Sequence, residues 1–452
     1  MLKRGDEVRV TVDRLAYGGK GVGRLDGFVV FVAGTAPGDV VRARIVRARR
    51  TYAEAETVAV EVASEDRTEP RCPHFGPCGG CAWQHVAYTA QASAKESIVR
   101  ESFAHLGGIA EAVVHPIVTA PDPWYYRNKM EFSFHPEGVL GLHRRGEWNR
   151  IVPVEACFLQ SPESVALVVA VRSFARRHGL APYDPKTHAG FLRSLVIREA
   201  RGTGDRLVGL LTSPGPFAAS AAFVEEVVGV VPGVTSIVRG IVTATTEGAP
   251  PSVVETLYGS STLEERLVGL RFRIGLNTFF QTNTAQAARM IEHVVERAQP
   301  LASARVVDLY CGIGTFALPL SRAGGRVVGI ELLAASVDAA RANAALNGLD
   351  GVGFTAGDAR LMLPAVVAAN GTPDVLVLDP PRAGAGGKVM RKIGRTGARR
   401  IIYVSCNPTT LAPDLKELMP FGYRLVDVQP FDLFPQTHHV EAIAVLDRET
   451  LA

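Results

Sequence analysis

The chain has 452 residues, too many for one ordinary hydrophobic core, so two or three domains are expected. Hydrophobic residues make up 47% and charged residues 21%, a balance that excludes a disordered chain, and the formal net charge of +4 suits a polyanionic partner without requiring one. Residues 1–10 have no apolar stretch, and no apolar run is long enough to span a bilayer, so neither a secretory leader nor a membrane segment is expected and a cytoplasmic protein is read.

Residues 1–62 read as an all-β domain. EVRVTVDRLA, GFVVFVAGTA and DVVRARIVRA alternate apolar and polar positions between Gly and Pro, as strands of a small OB-like barrel do. A glycine-rich loop covers 17–24. The third strand runs into Arg42, Arg44, Arg47, Arg49 and Arg50, which suits either phosphate contacts or a solvated edge strand. Residues 63–265 read as a central α+β domain. Its first part, 70–160, is rich in Cys and aromatics with few long helical patterns; a clear helix over 164–177 and the strands SLVIREA and LVGLLTS follow. Around it, Arg127 and Lys129 are candidate RNA contacts, with Trp83 and Trp124 left open between stacking and packing.

Residues 266–452 change character. RVVDLY, RVVGIE, VGFTAG, DVLVLD and RIIYVS alternate with helical stretches such as 284–299 and 333–346, the pattern of a parallel-rich, Rossmann-like sheet with helices on both faces. The first strand enters a turn with Gly312 and Gly314, where a ligand can approach the backbone. The second ends in Glu331, placed to hold ribose hydroxyls. A dinucleotide site shares those features, but the third glycine of its fingerprint is replaced by Ala317. Asp358 fits an adenine-side position of a methyltransferase sheet. Asp379, in Asp379-Pro380-Pro381-Arg382, is placed to face a sulfonium cation.

The strand over 401–404 ends in Ser405-Cys406-Asn407-Pro408, which puts a thiol in a polar turn at the carboxyl edge of the sheet. Carbon 5 of uracil is too poor a nucleophile to take a methyl group unaided. A thiolate adding to carbon 6 makes it enolate-like, and a base must then remove the carbon 5 proton so that the thiolate can leave. Glu441, just before the last strand, is the candidate base.

With Phe280-Gln281-Thr282-Asn283, the 308–314 turn, Asp379 to Arg382, Ser405 to Pro408 and His439 to Glu441 in this order, the chain resembles the RNA 5-methyluridine methyltransferases of transfer and ribosomal RNA over nearly its whole length. That resemblance implies Cys406 as nucleophile and Glu441 as general base. It also implies S-adenosylmethionine contacts from Gln281, Tyr310, Glu331 and Asp379, with Thr315 and Asp358 at two further positions where relatives often carry Asn. The N-terminal barrel looks like the family's TRAM domain, an RNA-binding module, and the last domain like a class I methyltransferase. A structured rRNA or tRNA with an unpaired or flipped uridine is the implied partner, and a monomer is expected.

Cys72, Cys78 and Cys81, spaced C-x5-C-x2-C, and the later Cys157 suit an iron–sulfur cluster or a structural zinc, the three-plus-one spacing favouring the former. The resemblance adds that one branch of the family holds a [4Fe-4S] cluster here. Cys311 reads as packing. Two other functions compete: methylation of a nitrogen, because Asp-Pro-Pro-Arg is similar to the loop of amino methyltransferases, and a noncatalytic RNA-binding factor. The first leaves Cys406 idle; the second has no need of Cys406, Glu441 or the ligand turn.

Overall fold

The computed structural model describes residues 2–109, 111–246 and 248–449. It divides into two compact units, one made of Met1–Gly76, Cys81–Pro123 and Leu378–Ala452 and the other of Pro77–Gly80 and Trp124–Val377.

The first unit opens with a closed barrel of β1 (Glu7–Leu15), β2 (Gly21–Leu25), β3 (Phe28–Ala33), β4 (Val40–Ala48) and β5 (Tyr52–Val62), in the order β1-β2-β3-β5-β4. Its core is small and β-branched, including Val10, Val12, Val30, Val32, Val41 and Ile45. The alternation of the three expected strands is observed as β1, β3 and β4. The glycine-rich loop is shorter than expected, because its second half is strand β2. A Cβ on Gly21 would collide with Thr35 Oγ1 and one on Gly23 with the Thr11 carbonyl oxygen, so glycine here serves close strand approach and hides the strand from a propensity reading.

Helix α1 (Tyr88–Glu101) follows, running into a π-helical turn over Ser102–Gly107. With its π-helical turn it is the helical part of the 70–160 segment, where few long helical patterns were expected. Its buried face carries Gln91 and Lys95 among alanines, so no apolar stripe marks it. Gln91 Nε2 donates to Gln436 Oε1 at 3.0 Å, and Gln91 Oε1 accepts from Gln436 N at 2.9 Å. Lys95 Nζ donates to Asp432 Oδ1 at 2.6 Å and to the Phe434 carbonyl at 3.0 Å.

The second unit contains β6 (Lys129–His135), β7 (Val139–Arg144), β8 (Glu147–Pro153), α2 (Pro162–Arg177), β9 (Leu192–Glu199), β10 (Arg206–Thr212), α3 (Ser220–Val230), β11 (Val234–Ile241) and β12 (Val253–Gly259). These strands form one sheet, β12-β11-β10-β9-β6-β7-β8, parallel between β10 and β11 and antiparallel in its other pairs. Ser161 N-caps α2 by accepting from Ser164 N at 3.2 Å. A hairpin of β13 (Thr262–Leu267) and β14 (Leu270–Gly275) leads to α4 (Thr284–Arg297), β15 (Arg305–Leu309), α5 (Ala317–Arg322), β16 (Arg326–Glu331), α6 (Ala334–Leu346), β17 (Val352–Ala356), α7 (Ala359–Asn370) and β18 (Val375–Leu378). Strands run in the order β17-β16-β15-β18, with β15, β16 and β17 parallel.

The chain then returns to the first unit with α8 (Gly387–Thr396), β19 (Arg400–Ser405), α9 (Pro408–Lys416), β20 (Tyr423–Phe431) and β21 (Glu441–Arg448). Here the order is β19-β21-β20 and both pairings are antiparallel, so the strand-helix alternation does not continue to the end. No helix among the described residues is long and apolar enough to cross a membrane.

Candidate active site

Within the first unit, the register of β19 and β21 pairs Ser405 with Ala442. One residue beyond that pair on each strand stand Cys406 and Glu441. Ser405 Oγ accepts from Asn407 N at 3.1 Å, and Asn407 Oδ1 caps α9 by accepting from Thr409 N at 3.1 Å. The turn that displays Cys406 is therefore held from both sides. Asn407 Nδ2 also donates to the Arg382 carbonyl at 3.1 Å, tying the Asp-Pro-Pro-Arg segment to the same turn.

The electrostatics are those of crowded acids. Burial, then the carboxyls of Glu441 and Asp379, pushes the Cys406 thiol up to about 12, while the Arg382 guanidinium pulls it down. Glu441 is 3% exposed, and burial, with Asp379 adding to it, holds its carboxyl well above the usual carboxylate range. Both groups favour their protonated forms, so a cation beside them has a direct effect on the thiolate fraction.

The segment between β20 and β21 carries residues whose part is not apparent from their types alone. Gln436 adopts φ +66° and its carbonyl accepts from Ala82 N at 2.8 Å and Trp83 N at 3.0 Å. His438 and His439 follow, their ring centroids 4.2 Å apart. Arg382 Nη2 donates to His439 Nδ1 at 3.0 Å and to Tyr17 Oη at 3.4 Å. The Asp-Pro-Pro-Arg motif pointed to Arg382 and the His439 to Glu441 motif contained His439, but nothing in the sequence paired Arg382 with Tyr17.

The second unit holds the turn expected to take the ligand. Beyond β15 the backbone takes positive φ at Tyr310 (+63°), Gly312 (+55°) and Gly314 (+92°). The expected helix begins later than the turn, at Ala317, and is short. Glu331, at the end of β16, accepts from Gly312 N at 3.2 Å and from Leu333 N at 2.9 Å, so the acid expected at the ribose position also braces the turn. Cys311 is buried, and a Cβ on Gly329 would come within 2.8 Å of its sulfur, in keeping with packing. Burial, with Asp308 and Glu331, raises its thiol further from ionisation than that of Cys406. Thr315 is buried, while Asp358 is half-buried and N-caps α7 by accepting from Arg360 N at 2.8 Å. Gln281 is buried, its carbonyl accepting from Asn128 Nδ2 at 2.8 Å, and Asn283 caps α4.

The four remaining cysteines divide between the units. In the first, Gln84 Oε1 accepts from Cys72 N at 3.0 Å, and its Nε2 donates to Cys81 Sγ at 3.1 Å. In the second, burial raises the Cys78 thiol and Cys157 adds to the effect. Among the described residues, no group of three or more His, Cys, Asp or Glu is placed to hold a metal ion, so the expected ligand set is not assembled within either unit. The barrel arginines are extensively paired: Arg42 and Arg44 with Glu7, both at 3.0 Å, and Arg47 with Glu54 at 3.7 Å. Trp83 is fully buried, with Nε1 donating to the Gly19 carbonyl at 3.0 Å, which settles its packing role; Lys129 and Arg127 are half-buried.

A family model described as tRNA (Uracil-5-)-methyltransferase matches residues 254–449, and one described as TRAM domain matches residues 2–58. A protein of Gloeobacter violaceus named as an uncharacterized RNA methyltransferase is 42% identical over 459 residues, covering 99% of this chain and 98% of its own. Another from Nitratidesulfovibrio vulgaris is 40% identical over 450 residues, covering 97% and 96%. Among solved structures, the Pyrococcus abyssi tRNA (uracil-54, C5)-methyltransferase, in complex with S-adenosyl-L-homocysteine, aligns with a TM-score of 0.77 at 26% identity, covering 97% of this chain and all of that one. The chain therefore belongs to the TRAM-containing RNA methyltransferases of the tRNA (uracil-5-)-methyltransferase family.

Proposed function

We propose that the protein methylates carbon 5 of a uridine in structured RNA through a covalent adduct on Cys406. The single observation that carries this reading is the placement of Cys406 and Glu441 one step beyond a paired position of β19 and β21. A thiol and a buried carboxyl on adjacent strands are what addition and proton removal require. S-adenosylmethionine supplies the methyl group; the backbone turn at Tyr310–Gly314 and the carboxylate of Glu331 are the residues assigned to hold it, with Gln281, Thr315, Asp358 and Asp379 as further contacts.

The Cys406 thiol gives its proton to solvent, and the thiolate adds to carbon 6 of the uracil. The electron pair moves to carbon 5, which takes the methyl and leaves the donor as S-adenosylhomocysteine. Glu441 in its carboxylate form then removes the carbon 5 proton, and the returning pair expels the Cys406 thiolate, regenerating the carbon 5–carbon 6 double bond. Because the resting thiol titrates at about 12, the thiolate fraction rises about tenfold per pH unit across the neutral range, and the adduct-forming step rises with it.

Methyl-labelled S-adenosylmethionine and unmodified total RNA, with nucleosides identified by mass spectrometry, test the reading. Label is expected in 5-methyluridine and absent with Cys406→Ser. Label on a nitrogen, or label that survives the substitution, defeats it; mapping the labelled fragment distinguishes ribosomal from transfer RNA. In the same reading Cys72, Cys78, Cys81 and Cys157 hold a structural [4Fe-4S] cluster, zinc being the alternative, since methyl transfer needs no electron. Thiol spacing supports it. Iron and acid-labile sulfide measured on anaerobically purified protein decide between cluster, zinc and neither.

A further inference from the structure

The loop between β1 and β2 belongs to a barrel whose expected part is RNA binding, yet within the first unit its side chain Tyr17 touches Arg382 and His438, the latter in the segment that leads to Glu441. Tyr17 stands in a turn closed by Gly19 N donating to the Ala16 carbonyl at 3.0 Å and Ala16 N donating to the Lys20 carbonyl at 2.9 Å. Gly18 and Gly19 take φ of +95° and +90°, which non-glycine residues rarely adopt. Trp83 Nε1 fixes the Gly19 carbonyl, and a Cβ on Gly19 would stand 3.3 Å from His438 Nδ1. The Tyr17 ring meets His438 edge-on, with centroids 5.8 Å apart and planes at 89°. Tyr17 is thus held by a rigid loop rather than displayed at a mobile tip.

Arginine has donors only, so the His439 Nδ1 that Arg382 contacts presents its lone pair, and the Tyr17 hydroxyl oxygen is the second acceptor on the same Nη2. The Arg382 carbonyl accepts from Asn407 Nδ2 at 3.1 Å and Thr410 Oγ1 at 3.5 Å, so the guanidinium is anchored at its tip by Tyr17 and His439 and at its base by the Cys406 turn. We propose that Tyr17 is a positioning residue for the nucleophile: with His439 it holds the Arg382 guanidinium beside the Cys406 turn, so that the barrel takes part in the chemistry. The charged and titratable groups acting on Cys406 are then Glu441 and Asp379, which oppose the thiolate, and Arg382, which favours it; His439 and Tyr17 contact the guanidinium, and His438 packs against both of their rings. A guanidinium that has lost one of its two acceptors can turn away and leave the two carboxyls unopposed.

This rests on Cys406 being the nucleophile, but its readout does not use methyl transfer. The full-length protein without RNA is treated with iodoacetamide over a pH series, and alkylation of the Cys406 peptide is followed by mass spectrometry. With Tyr17→Phe, which keeps the ring and its contact with His438, alkylation at a fixed mildly alkaline pH is expected to slow several-fold and the profile to move to higher pH. Arg382→Ala moves it further, and the double variant matches Arg382→Ala alone, because Tyr17 acts only through Arg382. Tyr17→His, which restores a ring with an acceptor, regains most of the wild-type rate; it also serves if thermal melting shows Tyr17→Phe to be poorly folded. A profile superimposable on wild type, additive effects in the double variant, or a changed KM for RNA with unchanged alkylation each overturns the proposal. Label surviving Cys406→Ser would instead defeat the methylation mechanism while leaving this measurement readable.

Discussion

In the first unit the groups assigned to the chemistry, from Asp379 to Glu441, are side chains, whereas in the second the turn from Tyr310 to Gly314 is assigned its part chiefly through backbone. Cys406 and Glu441 are shifted far from their ordinary titration by burial and by Asp379, and Arg382 is gripped by two acceptors. The ligand turn instead relies on positive φ at three residues, and its acid, Glu331, braces the Gly312 amide. Covalent chemistry needs groups with tuned proton affinity, which only side chains supply. Binding a cofactor near a strand end needs open backbone, which only the absence of side chains supplies. Variants of the first kind should alter proton chemistry, and variants of the second should alter donor affinity alone.

The largest expected effect on that contrast is Glu441→Gln. Turnover should fall by about 10²- to 10⁴-fold, the usual contribution of a positioned base, and the Cys406–RNA adduct should accumulate as a species that survives denaturing electrophoresis. No adduct with turnover lost would move Glu441 to an earlier step. The same variant reads stability. The folded-state pKa of Glu441 is raised above its unfolded value, so its contribution to stability is complete below the ordinary carboxylate range and is lost as pH rises through the folded value. Glutamine stays neutral, so the variant should melt higher than wild type at neutral pH and the advantage should vanish in acid. A variant that melts lower at neutral pH would show that the carboxylate is stabilised by the fold.

Next is Lys95→Met. Lys95 and Asp432 are both fully buried, and the substitution leaves the carboxylate without its cation, a loss of about 3–5 kcal/mol for a broken buried pair. Denaturant unfolding measures it, and Cys406 alkylation in the folded variant shows whether the segment from Asp432 to Glu441 has shifted. A loss under about 1 kcal/mol would mean that other donors, such as Phe434 N at 3.1 Å, satisfy the carboxylate without Lys95.

That pair also marks where the sequence stops being readable. Cys406, Glu441, Glu331 and Asp379 could be singled out as candidates because the chemistry inferred for them demands particular residue types at strand ends. The barrel was legible from alternation wherever side chains fill its core. Strand β2 was not, because Gly21 and Gly23 remove the side chains that make a strand visible. Helix α1 was not, because the face it buries mixes Gln91 and Lys95, whose partners lie 345 and 337 residues away, with alanines, and only Ile98 and Val99 near its end are large and apolar. Arg382 was in view as part of a motif, but its grip by Tyr17, 365 residues distant, depends on a fold that no local pattern encodes. The final antiparallel strands escaped for a related reason: apolar periodicity gives a strand's existence, not its direction.

The smallest effect tests the backbone side of the contrast. Gly314 has φ +92°, and a Cβ there would stand 2.9 Å from Leu318 Cγ, so Gly314→Ala carries both strain and a clash. Strain of this kind costs about 1–3 kcal/mol, which corresponds to a loss of about 5- to 150-fold in affinity for S-adenosylmethionine if the turn must keep its shape to bind. Gly312→Ala is the milder control: φ is +55° and nothing lies within 4 Å of the new Cβ, so about 1 kcal/mol is expected. Calorimetric titration with S-adenosylmethionine measures both, and Cys406 alkylation is expected to stay at the wild-type rate in each. Equal affinities for Gly314→Ala and wild type would remove the turn from the binding site. A slowed Cys406 in either variant would instead mean that the shape of the ligand turn is felt by the nucleophile, and the division between backbone binding and side-chain chemistry would no longer hold.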